Sequence, residues 1–231
     1  MKAPEILVPP EGRVLCIAPH PDDESCGPGG SLALHLARGD QVHVVFVTDG
    51  SNGDPEQRFG SNLVEVREQE ALAACQVLGG ASHEFYRLPD NYVATASDLA
   101  MVAERLRASI EAFGPRTIYV PWPGEAHQDH ANCYAALALL FGDDSEFSGE
   151  DAPRIFEYEV WSPLPADWIV DISDFAETKR QAIRAHVSQL AYTDYPHQLL
   201  GLAAHRSVYL PKPARYGEAF REAALHRGRR S

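Results

Sequence analysis

Short apolar runs alternate with amphipathic stretches along most of the chain. The runs are apolar, β-branched or aromatic, which is typical of buried strands. They predict strands at residues 14–18, 42–48, 84–88, 117–120, 155–161 and 168–172. The stretches between them repeat their apolar residues at helical spacing. They predict helices at residues 31–38, 62–78, 99–113, 131–141 and 175–190, with Ser97-Asp98 as the cap of the third.

This alternation predicts βαβ units, and therefore an α/β, Rossmann-like fold with a largely parallel sheet flanked by helices. Neither an internal repeat nor a linker divides the chain, so we expect one domain over residues 1–231. Its core should span about 13–190, with a C-terminal extension at 191–231. Polar loops are expected at 51–61 and 142–153, and the basic tail at 227–231 should be frayed.

Composition narrows the function classes. The 231 residues are 45% hydrophobic, which is enough for a sizeable core, and carry a formal net charge of −13. This charge argues against nucleic acid and anionic membrane surfaces as partners. Since no apolar run approaches membrane-spanning length and no signal peptide is evident, we expect no membrane span. Four cysteines without CxxC spacing indicate reduced thiols and a cytoplasmic protein.

Two polar segments follow predicted strands and carry the candidate chemistry. The first is His20-Pro-Asp-Asp-Glu24, after the strand at 14–18, and the second is His127-Gln-Asp-His130, after the strand at 117–120. Because the carboxyl ends of parallel strands lie at one edge of a sheet, the two segments can meet there. Carboxylates clustered beside an imidazole repel one another unless a cation or a set of donors holds them, so a metal site is predicted.

The residue types suit a single catalytic metal. Two imidazoles and one carboxylate, from His20, Asp23 and His130, match a Zn²⁺ site with an open position, and Fe²⁺, Mn²⁺ or Co²⁺ are alternatives. Asp22 would then lie beside the metal and act as general base, returning its proton to the leaving group. His127 could donate to an oxyanion.

Asp129 would not bind the metal itself, but its carboxylate could orient an imidazole that does.

Each segment also has an ordinary structural explanation. Acidic residues at Asp22, Asp23 or Glu24 could cap a following helix, and a single histidine is more often a surface or core residue than a ligand. Glu24 receives no role in the metal hypothesis.

A glycine run at Gly27-Pro-Gly-Gly30 raises dinucleotide binding as a rival. The expected G-x-G-x-x-G pattern fails, because Leu32 stands at the last glycine position. The acidic run also gives the wrong charge for a pyrophosphate, so this rival is disfavoured.

With both segments placed, the chain resembles the PIG-L/LmbE-type family of zinc-dependent N-acetyl-sugar deacetylases. That family's A-H-P-D-D-E run stands here as Ala18-Pro-His-Pro-Asp-Asp-Glu24, with one extra proline, and its H-x-D-H motif stands as His127–His130. Weaker matches extend the resemblance over roughly 13–190; they are Thr48–Gly50, Arg67–Glu70, Leu88–Asn91 and Lys179–Gln189.

The resemblance implies removal of an acetyl group from an N-acetylglucosamine-type conjugate, a small molecule. It implies zinc on the same three ligands, Asp22 as base and then acid, His127 at the oxyanion, and Arg67 and Asp90 at the substrate. It is compatible with a monomer or a homo-oligomer. The alternatives are a metal-dependent hydrolase of another amide or of a phosphoester, and a catalytically silent metal-binding homologue. Trp122, Tyr92 and Trp161 are candidate platforms for a sugar face.

Overall fold

A computed structural model of the chain describes residues 3–141, 147, 149, 152–223 and 225. Its strands form one eight-stranded sheet, in the order β1-β7-β8-β6-β5-β2-β3-β4. The strands are β1 (Glu5–Ile6), β2 (Arg13–Ala18), β3 (Gln41–Thr48), β4 (Ser82–Leu88), β5 (Thr117–Pro121), β6 (Arg154–Tyr158), β7 (Trp168–Asp171) and β8 (Gly217–Glu222). Strand β8 runs antiparallel to β6 and β7, and the other pairs in this sheet are parallel.

Helices cover both faces of the sheet. They are α1 (Asp23–Cys26), α2 (Gly29–Ala37), α3 (Leu63–Leu78), α4 (Ala96–Phe113), α5 (Gln128–Ala138), α6 (Ala176–Ala185), α7 (Val187–Leu190) and α8 (Tyr195–Arg206). Short 3₁₀ turns lie at Gly60–Asn62, Ser173–Phe175 and Ser207–Tyr209. Among the described residues, none of the helices has the length and apolar character needed to span a membrane.

Successive residues of the central strands enter two separate cores, as the period of two along a strand requires. Val14 and Cys16 of β2 pack with α2, α3, α6 and α8 on one face. Leu15 and Ile17 pack with α4 and α5 on the other. Both faces of the central strands are therefore buried, which explains their continuous apolar runs. The predicted α/β fold with a largely parallel, helix-flanked sheet is confirmed.

Some helix boundaries differ from the sequence prediction. Helix α4 starts earlier than predicted because Thr95, not Ser97-Asp98, is the N-cap. The Thr95 side chain accepts from the Asp98 N–H, and the Asp98 carboxylate accepts from the Thr95 N–H at 2.8 Å. The predicted helix 175–190 is divided at His186 into α6 and α7.

The C-terminal segment contains elements that the sequence did not predict, α8 and β8. Strand β8 lies inside the sheet, between β6 and β7. The division into a core at 13–190 and an extension at 191–231 stays a prediction. The predicted tail at 227–231 and most of the predicted loop 142–153 lie outside the described residues.

Candidate active site

Two loops at the carboxyl edge of the sheet build the site. Strands β2 and β5 are parallel neighbours, with Cys16 opposite Tyr119, so the segments that follow them leave the sheet side by side. His20 follows β2, while His127 and His130 lie at the start of α5. The His20 ring centroid is 4.5 Å from that of His127 and 5.4 Å from that of His130. The structure thus brings together the two segments that the sequence pairs.

Asp23 lies between the two predicted histidine ligands. Its Oδ2 is 3.0 Å from Nδ1 of His20 and 3.2 Å from Nε2 of His130. The His20 backbone N–H also donates to this oxygen, at 2.9 Å. Asp23 and His130 are fully buried and His20 is 7% exposed. The three predicted ligands are therefore in contact and shielded from bulk water.

The imidazoles also form two overlapping groups of metal-competent residues. One is His20, His127 and His130, and the other is His20, Asp90, His127 and Asp129, each with one ligand atom per residue within 4.8 Å of the others. Asp23 is in neither group, although it contacts two members of the first. Because both groups use His20 and His127, they describe one metal-binding region rather than two independent ones.

The polar atoms of this region fit a divalent cation. Oδ1 of Asp23, Oδ1 of Asp129 and both ring nitrogens of His130 are buried, and none of them makes a hydrogen bond. The 3.2 Å contact between Nε2 of His130 and Asp23 does not have hydrogen-bond geometry. Buried polar atoms are normally paired, and leaving one unpaired costs roughly 1–3 kcal/mol. A metal ion would supply the missing partner, and nitrogen with carboxylate oxygen is a donor set that Zn²⁺ prefers.

The charges around His20 point the same way. Burial opposes protonation of His20, but hydrogen bonds to Asp129, Asp23 and Asp90 outweigh it and raise the pKa of the ring well above its ordinary value. Burial raises the pKa of Asp23, yet His130 and His20 bring it well below its ordinary value. The aspartates around His20 therefore stabilise a positive charge in this region. A metal cation would take the place of the proton on a ligating histidine.

Asp22 lies beside the predicted ligands but in a different environment. It is 4% exposed, and Nη2 of Arg67 donates to its Oδ2 at 3.0 Å. Burial raises the pKa of Asp22, Arg67 lowers it, Asp23 raises it, and the net direction is upward. A carboxylate with a raised pKa is a better proton acceptor near neutrality. Asp22 makes no side-chain capping bond to α1, so helix capping does not explain it.

His127 forms the N-terminal boundary of α5. Its Nδ1 accepts from the Asp129 backbone N–H at 3.3 Å, and its side chain is 34% exposed. Burial, followed by the neighbouring His20 and His130, lowers the pKa of its ring. Because Nδ1 is an acceptor, the neutral ring carries its proton on Nε2 and can donate it.

Asp90 and Asp129 both lie at Nε2 of His20, the ring nitrogen that does not face Asp23. Both place a carboxylate oxygen 3.2 Å from Nε2 of His20. Asp90 also accepts from the Asn52 N–H at 2.9 Å, and Asp129 from the Asn91 N–H at 2.7 Å. Burial raises the pKa of Asp90, but His20 and the Asn52 N–H lower it to about 2. Both aspartates therefore orient the His20 ring.

Sequence reasoning missed Glu125, which lies behind His130. Its carboxylate accepts from the backbone N–H groups of Val160, Trp161 and Ser162, and its Oε2 is 3.9 Å from Nδ1 of His130. No spacing rule identifies it, because the loop conformation alone brings it there. Trp161 is 38% exposed, and its ring lies 5.1 Å from that of Tyr195, a second residue that the sequence did not single out.

Comparison with known proteins agrees with this geometry. Residues 15–140 match the family model described as PIG-L: GlcNAc-PI de-N-acetylase. The chain belongs to the PIG-L family. The resemblance inferred from the two motifs is thereby confirmed, and the matched range contains every candidate metal-binding, catalytic and substrate-binding residue from His20 to His130.

Individual relatives extend the comparison beyond the matched range. A probable N-acetyl-alpha-D-glucosaminyl L-malate deacetylase 2 of Bacillus subtilis is 31% identical over 188 residues, covering 77% of this chain and 83% of the relative. The solved N,N'-diacetylchitobiose deacetylase of Pyrococcus horikoshii has a TM-score of 0.77 and 27% identity, covering 92% of this chain and 84% of that one.

A third solved structure shows the fold alone. It is the 4-carboxy-2-hydroxymuconate hydratase GalB of Pseudomonas putida KT2440, with a TM-score of 0.73, 21% identity, and coverage of 92% of this chain and 96% of that one. Proteins described as deacetylase and as hydratase thus share this fold, and function must be argued from the site.

Proposed function

We propose that this PIG-L family chain is a metal-dependent hydrolase that removes the acetyl group from an N-acetylglucosamine-type sugar conjugate. One observation carries the proposal. A buried carboxylate with a raised pKa, Asp22, lies directly beside the contacting set His20, Asp23 and His130, with His127 at its edge. The deacetylase names of the relatives favour an acetamide as the bond that is cleaved.

The residues divide the reaction as follows. His20, Asp23 and His130 would hold zinc, which when bound polarises the amide carbonyl and makes water more acidic. Asp22 takes a proton from the water as the water oxygen attacks the carbonyl carbon. Nε2–H of His127 donates to the amide oxygen as negative charge develops there. Asp22 then returns the proton to the departing nitrogen, giving acetate and a free amino sugar.

Arg67 supports the base. Its guanidinium bonds to Asp22 and also donates to the Gly50 carbonyl oxygen, at 2.9 Å, and to the Pro21 carbonyl oxygen, at 3.3 Å. This arrangement fixes the Asp22 carboxylate and favours its ionised form. Arg67 and Asp90 also bind the substrate in this proposal, and Arg67 has the second task of orienting Asp22.

A panel of small N-acetylglucosaminides tests the proposal, with zinc added and acetate measured. Malate, inositol and chitobiose conjugates belong in the panel because relatives are named for them. We expect acetate release that stops when a chelator removes the metal. A dialysed protein that remains fully active with chelator would refute the metal requirement.

The Asp22→Ala variant tests the base. We expect it to keep its zinc and to lose at least ~10²-fold in kcat, the usual contribution of general acid–base catalysis. Unchanged activity in this variant would exclude Asp22 as the base.

A phosphoester hydrolase is the second candidate, favoured by the cluster of Asp90, Asp129 and three histidines near one another. Such enzymes often use two metals. The overlap of the two groups at His20 and His127 argues for one ion, so elemental analysis giving two zinc ions per chain would favour this alternative. We also propose a cytoplasmic location, supported by four buried free cysteines.

A further inference from the structure

Glu24 forms a buried pair with a residue far along the chain. Nε2 of His186 lies 3.1 Å from Oε1 of Glu24, and both side chains are fully buried. The hydroxyl of Ser25 donates to the same Oε1 at 2.6 Å. Glu24 belongs to α1, immediately after Asp22 and Asp23, whereas His186 lies at the junction of α6 and α7.

Stability alone does not account for this pair. Removing a carboxylate from water costs several kcal/mol, and apolar residues of similar volume are often at least as stabilising as a buried ion pair. Oε2 of Glu24 and Nδ1 of His186 have no partner in the structure, so the pair is not even fully satisfied. A costly pair that touches the turn carrying the base and a metal ligand suggests a role in their placement.

Ser188, two residues after His186, contacts helix α3, which carries Arg67. The backbone N–H and the hydroxyl of Ser188 donate to the two carboxylate oxygens of Glu70, at 2.7 and 2.6 Å. Glu70 is one turn after Arg67 on α3, so both project from the same side of the helix. Ser188 therefore fixes the part of α3 from which Arg67 reaches Asp22.

Gln189, the next residue, contacts the loop after β3. Nε2 of Gln189 donates to the Gly53 carbonyl oxygen at 3.3 Å. The preceding residue, Asn52, binds Asp90 through its backbone N–H and through its side-chain amide, both at 2.9 Å. The 186–189 segment thus contacts three parts of the chain. The first is the turn that carries Asp22 and Asp23, the second is helix α3, which carries Arg67, and the third is the loop that binds Asp90.

We propose that the Glu24–His186 pair is a positioning device for the catalytic turn: it sets the location of Asp22 and of the metal ligand Asp23. This inference rests on the proposed function for its catalytic part. Neither residue belongs to the metal-competent groups or to the residues proposed to bind the substrate. They act through the turn at 22–24, and the bonds from Ser188 and Gln189 keep the rest of the site in register with that turn.

The test compares Glu24→Ala with Glu24→Gln, each measured for zinc affinity by chelator competition and for kcat and KM. Glu24→Ala removes the acceptor for His186, so we expect zinc affinity and kcat each to fall by about 10-fold or more, as for residues that support metal ligands. KM should stay within about 3-fold, since substrate contacts remain. Glu24→Gln keeps an acceptor oxygen and should recover most of both losses.

Three further variants make the outcome specific. His186→Ala should reproduce the losses of Glu24→Ala, and the double variant should lose little more than the worse single one, because both remove the same contact. Glu157→Ala is the matched control: Glu157 is 1% exposed and pairs with Arg221, outside the proposed site. It should lower the melting temperature and leave zinc affinity and kcat per folded molecule unchanged.

The inference is overturned if folded Glu24→Ala and His186→Ala bind zinc and turn over substrate like the wild type, or no worse than Glu157→Ala. Loss of zinc affinity in both variants, in a protein that releases acetate from no sugar, would refute the proposed function and support the positioning of Asp23. Wild-type deacetylation with unaffected variants would refute the positioning role alone.

Discussion

Gly53 offers a way to move Arg67 without changing any charged residue. A Cβ added at Gly53 would lie 2.6 Å from Nη1 of Arg67 and 2.9 Å from Oε1 of Gln189. The Gly53 backbone does not have a positive φ, so alanine there introduces contact and no backbone strain. We expect Gly53→Ala to displace the Arg67 guanidinium from Asp22 and to lower activity.

The size of the effect follows from the contacts. Arg67 is 3% exposed, and restoring ordinary van der Waals distance requires its guanidinium to move by about 0.8 Å. Its bond to Asp22 would be lost or lengthened, and a hydrogen bond between charged groups contributes about 1.5–3 kcal/mol. This corresponds to a fall in kcat/KM of about 10- to 100-fold. Overpacking would reduce the unfolding free energy by about 1–3 kcal/mol, leaving a folded protein.

Acetate release, zinc content and thermal unfolding should be measured together on Gly53→Ala and on Gly201→Ala. Gly201 lies within α8 with no atom within 4 Å of an added Cβ, so alanine there should slightly stabilise the helix and leave kcat/KM unchanged. A folded, zinc-loaded Gly53→Ala protein with wild-type kcat/KM would show that the placement of Arg67 does not control Asp22.

Two further predictions concern histidines. His127→Ala should keep bound zinc and lose about 10²- to 10³-fold in kcat, as expected for removal of an oxyanion donor, and equal rates in a steady-state assay would exclude that role. Burial, only partly offset by Asp40, lowers the pKa of His35 to about 4 from 6.5. Between these pH values the unfolded chain binds a proton that the folded one does not, so stability should fall by about 3 kcal/mol as pH drops from 6.5 to 4. Urea unfolding across this range should show a slope that His35→Gln reduces, and identical slopes would contradict the assignment.

The sequence predicted the meeting of its two motifs because that inference needs only strand order and parallel direction. The runs at Val14–Ala18 and Thr117–Val120 are buried on both faces, and such runs mark central parallel strands. His20 and His130, which follow those strands, therefore lie at one edge of the sheet. The residue types within each motif then suggested which side chains would hold a metal and which one would act as base.

Features that depend on tertiary contact escaped prediction. Strand β8 is short and mixes charged with apolar residues, and its place between β6 and β7 reverses the local strand direction. Glu125 and His186 gain their partners only when remote loops fold against them. Arg67 has helical spacing like any surface arginine, and only the structure shows it buried against Asp22. Sequence periodicity reports burial and element type, not which remote polar atoms meet.

A zinc titration of the metal-free protein tests the central claim most directly. Acetate release from an N-acetylglucosaminide that the enzyme accepts should rise linearly with added zinc and stop rising at one zinc per chain. The same endpoint should be lost in His130→Ala, which lacks a proposed ligand. Full activity before any zinc is added, or a titration that ends at two zinc ions per chain, would contradict a single-metal deacetylase built on His20, Asp23 and His130.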